Sequence, residues 1–126
     1  MEKNEMEKFD ENLIRDKIYS IRGFQVMLDR DLAELYGVGT KILNKAVKRN
    51  SARFPPDFCL TLNSQEIQNL RSQIVISSWG GRRYQYLVFT EQGVAMLSAV
   101  LKSETTIKIS IKIMKYCCTL VKHYVY

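Results

Sequence analysis

Residues 29–50 read DRDLAELYGVGTKILNKAVKRN, and the fold turns on how this stretch divides. Leu32, Ala33, Leu35 and Tyr36 follow Asp29 at helical spacing, and Gly37 ends that segment where a left-handed residue is wanted. Asp29 is placed to accept amide hydrogen bonds at the start of this helix. Gly37, Val38 and Gly39 then break the chain. Thr40 is placed to cap a second helix over Lys41–Asn50, which Phe54, Pro55 and Pro56 close. A short amphipathic helix, a glycine turn and a second helix form the layout of a helix-turn-helix. At about 100° per residue, Lys41, Asn44, Lys45 and Lys48 share one side of the second helix, with Arg49 at its edge. Ile42, Leu43, Ala46 and Val47 share the other, so an apolar inner side and an open polar side are expected.

Outward from this core, Ile18–Leu28 alternates around Gly23 as two short strands of a hairpin. Downstream, Phe58–Leu62 has strand character. Asn63 or Ser64 caps a helix over residues 65–72, with Glu66 placed to complete a capping box. Ile74, Val75 and Ile76 face Tyr84–Phe89 across the loop Trp79, Gly80, Gly81, Arg82 and Arg83, a second predicted hairpin. Thr90 caps a helix from Glu91 to about Leu101. In the last segment Ile107, Ile111, Met114, Cys118, Val121 and Val125 recur at steps of four and three, a helical stripe flanked by Lys108, Lys112, Lys115 and Lys122. That stripe is expected to pack in the core or against a second copy, giving a possible homodimer through the C-terminal helix. Residues 1–14 are polar and acidic and form a flexible arm, while residues 15–126 make one small α+β domain.

The net charge of +6 is uneven. Glu2, Glu5, Glu7, Asp10 and Glu11 outnumber Lys3 and Lys8, so residues 1–12 carry −3 and the rest of the chain +9. A basic folded part attracts polyanions, which makes nucleic acid a plausible partner. From Lys41 to Arg53 there are five cations and no acid. Lysines suit phosphates or guanine edges, and Asn44 suits a bidentate contact to adenine. Arg82 and Arg83 would add two guanidinium groups at a hairpin tip, as a wing does. The candidate DNA-binding set is therefore Thr40, Lys41, Asn44, Lys45, Lys48, Arg49, Arg53, Arg82 and Arg83. Surface lysines on any helix are also simply solvated, and the missing counter-charges, with the preceding helix and turn, put contact and solvation on an equal footing.

Other classes fit poorly. No stretch of about 18 apolar residues and no signal-peptide apolar region occurs, so a cytoplasmic protein without a membrane role is expected. Cys59, Cys117 and Cys118 are three in number, two of them adjacent, and read as reduced thiols. The single histidine, His123, and the absence of CxxC, HExxH or a phosphate-binding glycine loop argue against an enzyme, a metal site or a cofactor. Asp29 and Asp31 are explained by capping and the helix dipole rather than by metal ligation.

The segments IRGFQVMLDRDLAELYGVGTKILNKAVKRNSARFPPDF (residues 21–58) and GRRYQYLVFTEQGVAMLSAVL (residues 81–101) resemble the ORF-6-N domain family, related to KilA-N domains. The similarity runs from about Ile18 to Tyr116. Its LDxDLAxLYGV block corresponds to Leu28–Val38, its VKRNxxRFPxDF block to Val47–Phe58 and its FTEQGVAML block to Phe89–Leu97. The resemblance implies an α+β DNA-binding domain of phage, prophage, plasmid or bacterial origin, found in antirepressor-like and transcription-regulating proteins. It transfers no base-contacting residues, so the set above rests on helical geometry and charge. Phe54, Phe58, Phe89 and Leu97 are expected in the core. Many members continue into a large carboxy-terminal region. The short sequence after the matched blocks fits a truncated prophage remnant, a fragment or a simple DNA-binding regulator acting as a dimer, with capture of another regulator protein as the competing expectation.

Overall fold

A computed structural model describes residues 11–73 and 86–125, with side chains described as far as Tyr116. Residues 11–15 are helical (α1). They are followed by β1 (Ile18–Ile21), β2 (Phe24–Leu28), α2 (Asp29–Tyr36), α3 (Thr40–Arg49), a 3-10 turn (Ser51–Arg53) and β3 (Cys59–Thr61). Then come α4 (Ser64–Gln73), β4 (Leu87–Phe89), α5 (Glu91–Leu101) and α6 (Glu104–Val125). The α+β expectation holds. The four strands form one antiparallel sheet in the order β1-β2-β4-β3.

The β1–β2 hairpin expected around Gly23 forms with Ile21 opposite Phe24. Arg22 (φ 53°) and Gly23 (φ 79°) at its tip are both left-handed, as a type I′ turn requires. The strained Arg22 is held from outside the turn: its guanidinium donates to both Glu66 carboxylate oxygens at 2.8 and 2.7 Å, and to the Thr61 carbonyl at 3.0 Å. Those hydrogen bonds hold the Glu66 carboxyl below its ordinary range. Glu66 also completes the expected capping box, accepting from the Asn63 amide at 3.0 Å while Asn63 accepts from the Glu66 amide at 2.8 Å. One carboxylate thus ties the hairpin tip to the start of α4.

Alternation along β2 and β4 sorts the core into two parts. Val26, Leu28 and Val88 face α4 and pack with Leu60, Leu62, Leu70 and Tyr86. Met27 and Phe89 face the opposite way, into a larger cluster with Leu32, Ala33, Leu43, Val47, Val94, Leu97 and Ile113. Because both faces of the central strands are covered, their sequences are runs of apolar residues rather than alternating ones. Phe54 and Leu97 are buried and Phe58 packs at the cluster's edge, as expected, and the Phe54 ring meets Phe89 edge-on at 6.0 Å.

Two expectations are corrected, and a third falls largely outside the described residues. The acidic arm does not extend to residue 14 as a free segment: residues 11–15 are helical, and Ile14 is only 2% exposed because its apolar side chain packs in the larger cluster. The strand Leu87–Phe89 pairs with β2 and β3, whereas its expected partner, residues 74–76, and the loop with Arg82 and Arg83 lie outside the described residues. The helix α6 exists, but its inner face is not the isoleucine stripe. Thr106, Ser110 and Ile113 are fully buried, while Ile107 and Ile111 are 45% and 46% exposed. Small hydroxyl side chains let α6 approach closely, and each finds a partner. Ser103 Oγ accepts from the Thr106 amide at 3.0 Å and lies 2.6 Å from the Thr106 hydroxyl, and Ser110 Oγ lies 2.9 Å from Tyr36 Oη. Burial pushes the Tyr36 phenol up to about 12, so it stays protonated and keeps that bond. Among the described residues no helix is long and apolar enough to cross a membrane.

The start of α5 is the tightest junction. Thr90 caps it as expected, accepting from the Gly93 amide at 3.4 Å, while its hydroxyl donates to the Asp57 carbonyl at 2.7 Å. Gly93 sits directly against the Phe58 carbonyl, where a Cβ would overlap backbone that cannot swing away. Gly93→Ala is therefore expected to lower the unfolding free energy by about 2–3 kcal/mol, the upper range for overpacking. Gly37→Ala, whose strain is left-handed backbone in open space, should cost about 1 kcal/mol. Urea unfolding of the two variants checks the order.

Candidate nucleic-acid interface

The candidate site is the outer side of α3 with the turn that follows it. α2 buries Asp29, Leu32, Ala33 and Tyr36 and ends at Gly37 (φ 73°). The Val38 amide donates back to the Ala33 carbonyl at 3.0 Å, a closing bond of the kind that satisfies helix C-termini. The three-residue glycine turn then delivers α3, whose Leu43 and Val47 are buried one turn apart in the larger core cluster. The helix-turn-helix layout expected from residues 29–50 is present.

Lys41, Lys45, Lys48 and Arg49 are all exposed on α3, and Arg53 is exposed on the 3-10 turn. None of these five cations makes an ion pair or hydrogen bond among the described residues. The ion pairs that form lie elsewhere, as in Lys17 with Asp31 at 3.5 Å and Arg22 with Glu66 at 2.7 Å. α3 has no acid in its first turn and two cations in its last, and no side chain caps its amino end. Five fixed positive charges and the free amides of the first turn therefore face solvent together.

Two members of the expected set sit differently. Thr40 is the first helical residue and half-buried rather than the cap. Gly39 occupies the cap position, and no side-chain bond is made there. Asn44 turns inward instead of lying on the open face, and its amide donates to the Asp29 carboxylate at 3.1 Å. Ile42, expected inside, is 59% exposed. The shifts of Asn44 and Ile42 are linked. Asp29 has no exposed surface at all and needs donors, which the Arg30 amide supplies at 2.7 Å, with Asn44 and the Leu87 amide as the others. Bringing Asn44 inward turns α3 by a fraction of the step between residues, so that Leu43 and Val47 stay inside while Ile42 comes to the surface. A buried pairing of two polar side chains leaves no mark in hydrophobic periodicity.

Burial raises the Asp29 carboxyl above its ordinary range, against the opposing bonds from Asn44, Arg30 and Leu87 and the nearby Arg30 charge. Burial likewise pushes the neighbouring Cys59 thiol up to about 12, with Asp29 adding to the shift, so this half-buried cysteine is an unreactive thiol. Asp31 is raised chiefly by burial too and pairs with Lys17, so the two aspartates are engaged separately.

A carboxyl whose folded pKa lies above its unfolded value adds stability fully below the unfolded pKa, about 4 for Asp. That contribution is lost as pH rises through the folded pKa. Asn44→Ala removes a donor to the ionised form. It is expected to cost about 1–3 kcal/mol at neutral pH and less near pH 4, whereas the exposed Lys45→Ala should stay within about 0.5 kcal/mol. Equal stability of the two variants at pH 7 in urea titrations would contradict the inward placement of Asn44.

No curated protein and no solved structure matches the chain. The model of the ORF6N domain matches residues 16–100, which spans β1, both helices of the basic pair, β4 and most of α5. With that match covering well over half of the sequence, the chain belongs to the ORF6N domain family.

Proposed function

We propose that this ORF6N domain binds double-stranded DNA as a phage- or prophage-type transcription regulator, working in the cytoplasm by binding alone, without a catalytic step or cofactor. The observation that carries the reading is the exposed face of α3 and the following turn. There Lys41, Lys45, Lys48, Arg49 and Arg53 stand without counter-charges among the described residues. A helix about 10–12 Å across with its side chains enters a major groove about 12 Å wide, with the groove's two phosphate rows flanking it. Lysines and arginines along such a helix reach those rows, and the uncapped amino end of α3 offers further donors to a phosphate. A bilayer surface is a poorer match, because the face has one large apolar side chain, Ile42, where an interfacial helix needs a row of them. Arg82 and Arg83 remain in the proposal as flanking contacts on the strength of the sequence.

The test is selection from a random duplex library at two salt concentrations. Enrichment of a motif, with affinity falling steeply between about 50 and 200 mM salt, is expected. Lys45→Ala and Arg49→Ala should each reduce the slope of log affinity against log salt by about one unit. Unchanged slopes in both would remove α3 from the interface.

A second reading, contact with protein, is favoured by Ile107 and Ile111, which lie one turn apart on α6 and point away from the core. As a homodimer seam this surface would present two α3 helices to a palindromic site. As a surface for another regulator it would make the protein antirepressor-like. Ile111→Asp should shift sedimentation from dimer to monomer in the first case. In the second it should leave a monomer a monomer and abolish capture of the regulator.

A further inference from the structure

Among the residues of α3 that reach solvent, one does not belong with the rest. Lys41, Lys45, Lys48 and Arg49 are cations, and Ile42 is a branched hydrocarbon left 59% exposed in their midst. It lies three and seven positions before Lys45 and Arg49, so the three share one stripe along the helix. Its side chain sits beside Gly39, with its Cδ1 within 3.8 Å of where a Cβ on that glycine would be, so it stands over the glycine turn at the amino end of the helix. No packing requirement puts it there. The helix is seated by Leu43 and Val47, and Asn44 is spent on the buried Asp29.

We infer that Ile42 is a base-reading residue of the proposed interface and that it selects thymine through the C5-methyl group. The inference rests on the DNA-binding reading and names what that site distinguishes. The cations around Ile42 are suited to phosphates, which carry no sequence information, or to guanine edges, and none of them reads a methyl group. In the major groove the apolar mark on a base pair is the thymine methyl, and a branched aliphatic side chain at the amino-terminal end of the inserted helix is the complement to it. Asn44, the residue best suited by type to read adenine, faces Asp29 instead. Seating the methyl against Ile42 removes from water two apolar surfaces that would otherwise both be wet.

The experiment starts from the duplex that the full chain retains from a random library, in which each thymine is replaced in turn by deoxyuracil, removing the methyl and nothing else. Binding is measured for the unaltered protein and for Ile42→Ala and Ile42→Val at fixed salt. At one thymine position or two neighbouring ones, loss of the methyl is expected to weaken the unaltered protein about fourfold, the worth of one buried methyl group. The same replacement should leave Ile42→Ala unchanged, and Ile42→Val should keep most of the discrimination. The slope against salt should be the same for all three proteins, since no phosphate contact is touched. Because Ile42 is exposed, the Ala variant keeps its fold.

Deoxyuracil bound as well as thymine at every position, or an equal loss in the unaltered protein and Ile42→Ala, would overturn the inference while leaving DNA binding in place. Failure of the unaltered protein to retain any duplex at low salt would overturn the DNA-binding reading and this inference with it.

Discussion

The carboxylate of Asp29 is the point on which the rest of the arrangement turns. It sits without solvent contact where β2 passes into α2, and its donors come from three directions: the next amide of its own helix, Asn44 of α3 and the backbone of β4. Burying a carboxylate is costly unless its oxygens are occupied, so each donor is held to a position and a direction. The rise of the Asp29 carboxyl above its ordinary range means that the donors do not fully offset desolvation. Its part in the fold that the geometry shows is to orient the elements that donate to it. By requiring Asn44 on the inside, it sets the rotation of α3 and hence which side chains meet solvent.

The remainder of the fold supplies a rigid frame for that helix. The four-stranded sheet is covered on both faces, by α4 on one and by the other helices on the other, and the two core clusters are separated by the pleat of β2 and β4. α6 closes the larger cluster with a face of Thr106, Ser110 and Ile113, two of them hydroxyl residues. Such a face buries less apolar area than isoleucines would. It permits close helix approach, and its hydroxyls are paired by Ser103 and Tyr36.

The basic face costs the fold little. Lys48 and Arg49 lie in the last turn of α3, where the helix dipole favours cations, and water screens the rest. What sets this face apart from an ordinary solvated one is that the two aspartates of the neighbouring α2 are engaged elsewhere: Asp29 is buried with Asn44, and Asp31 meets Lys17.

Much of this was legible in the residues themselves. The glycine turn between α2 and α3, the capping box of Asn63 and Glu66, the Thr90 cap and the hairpin at Gly23 are local devices whose chemistry acts within a few positions, so their types and spacings determine them. The row of cations from Lys41 to Arg53 is equally a property of the sequence. Tertiary structure alone decided the rotation of α3 and of α6. Periodicity groups residues onto a face, but which face turns inward depends on neighbours far along the chain. A polar side chain such as Asn44 or Ser110 is stable inside when Asp29 or Tyr36 satisfies it, and apolar ones such as Ile42, Ile107 and Ile111 are then left outside.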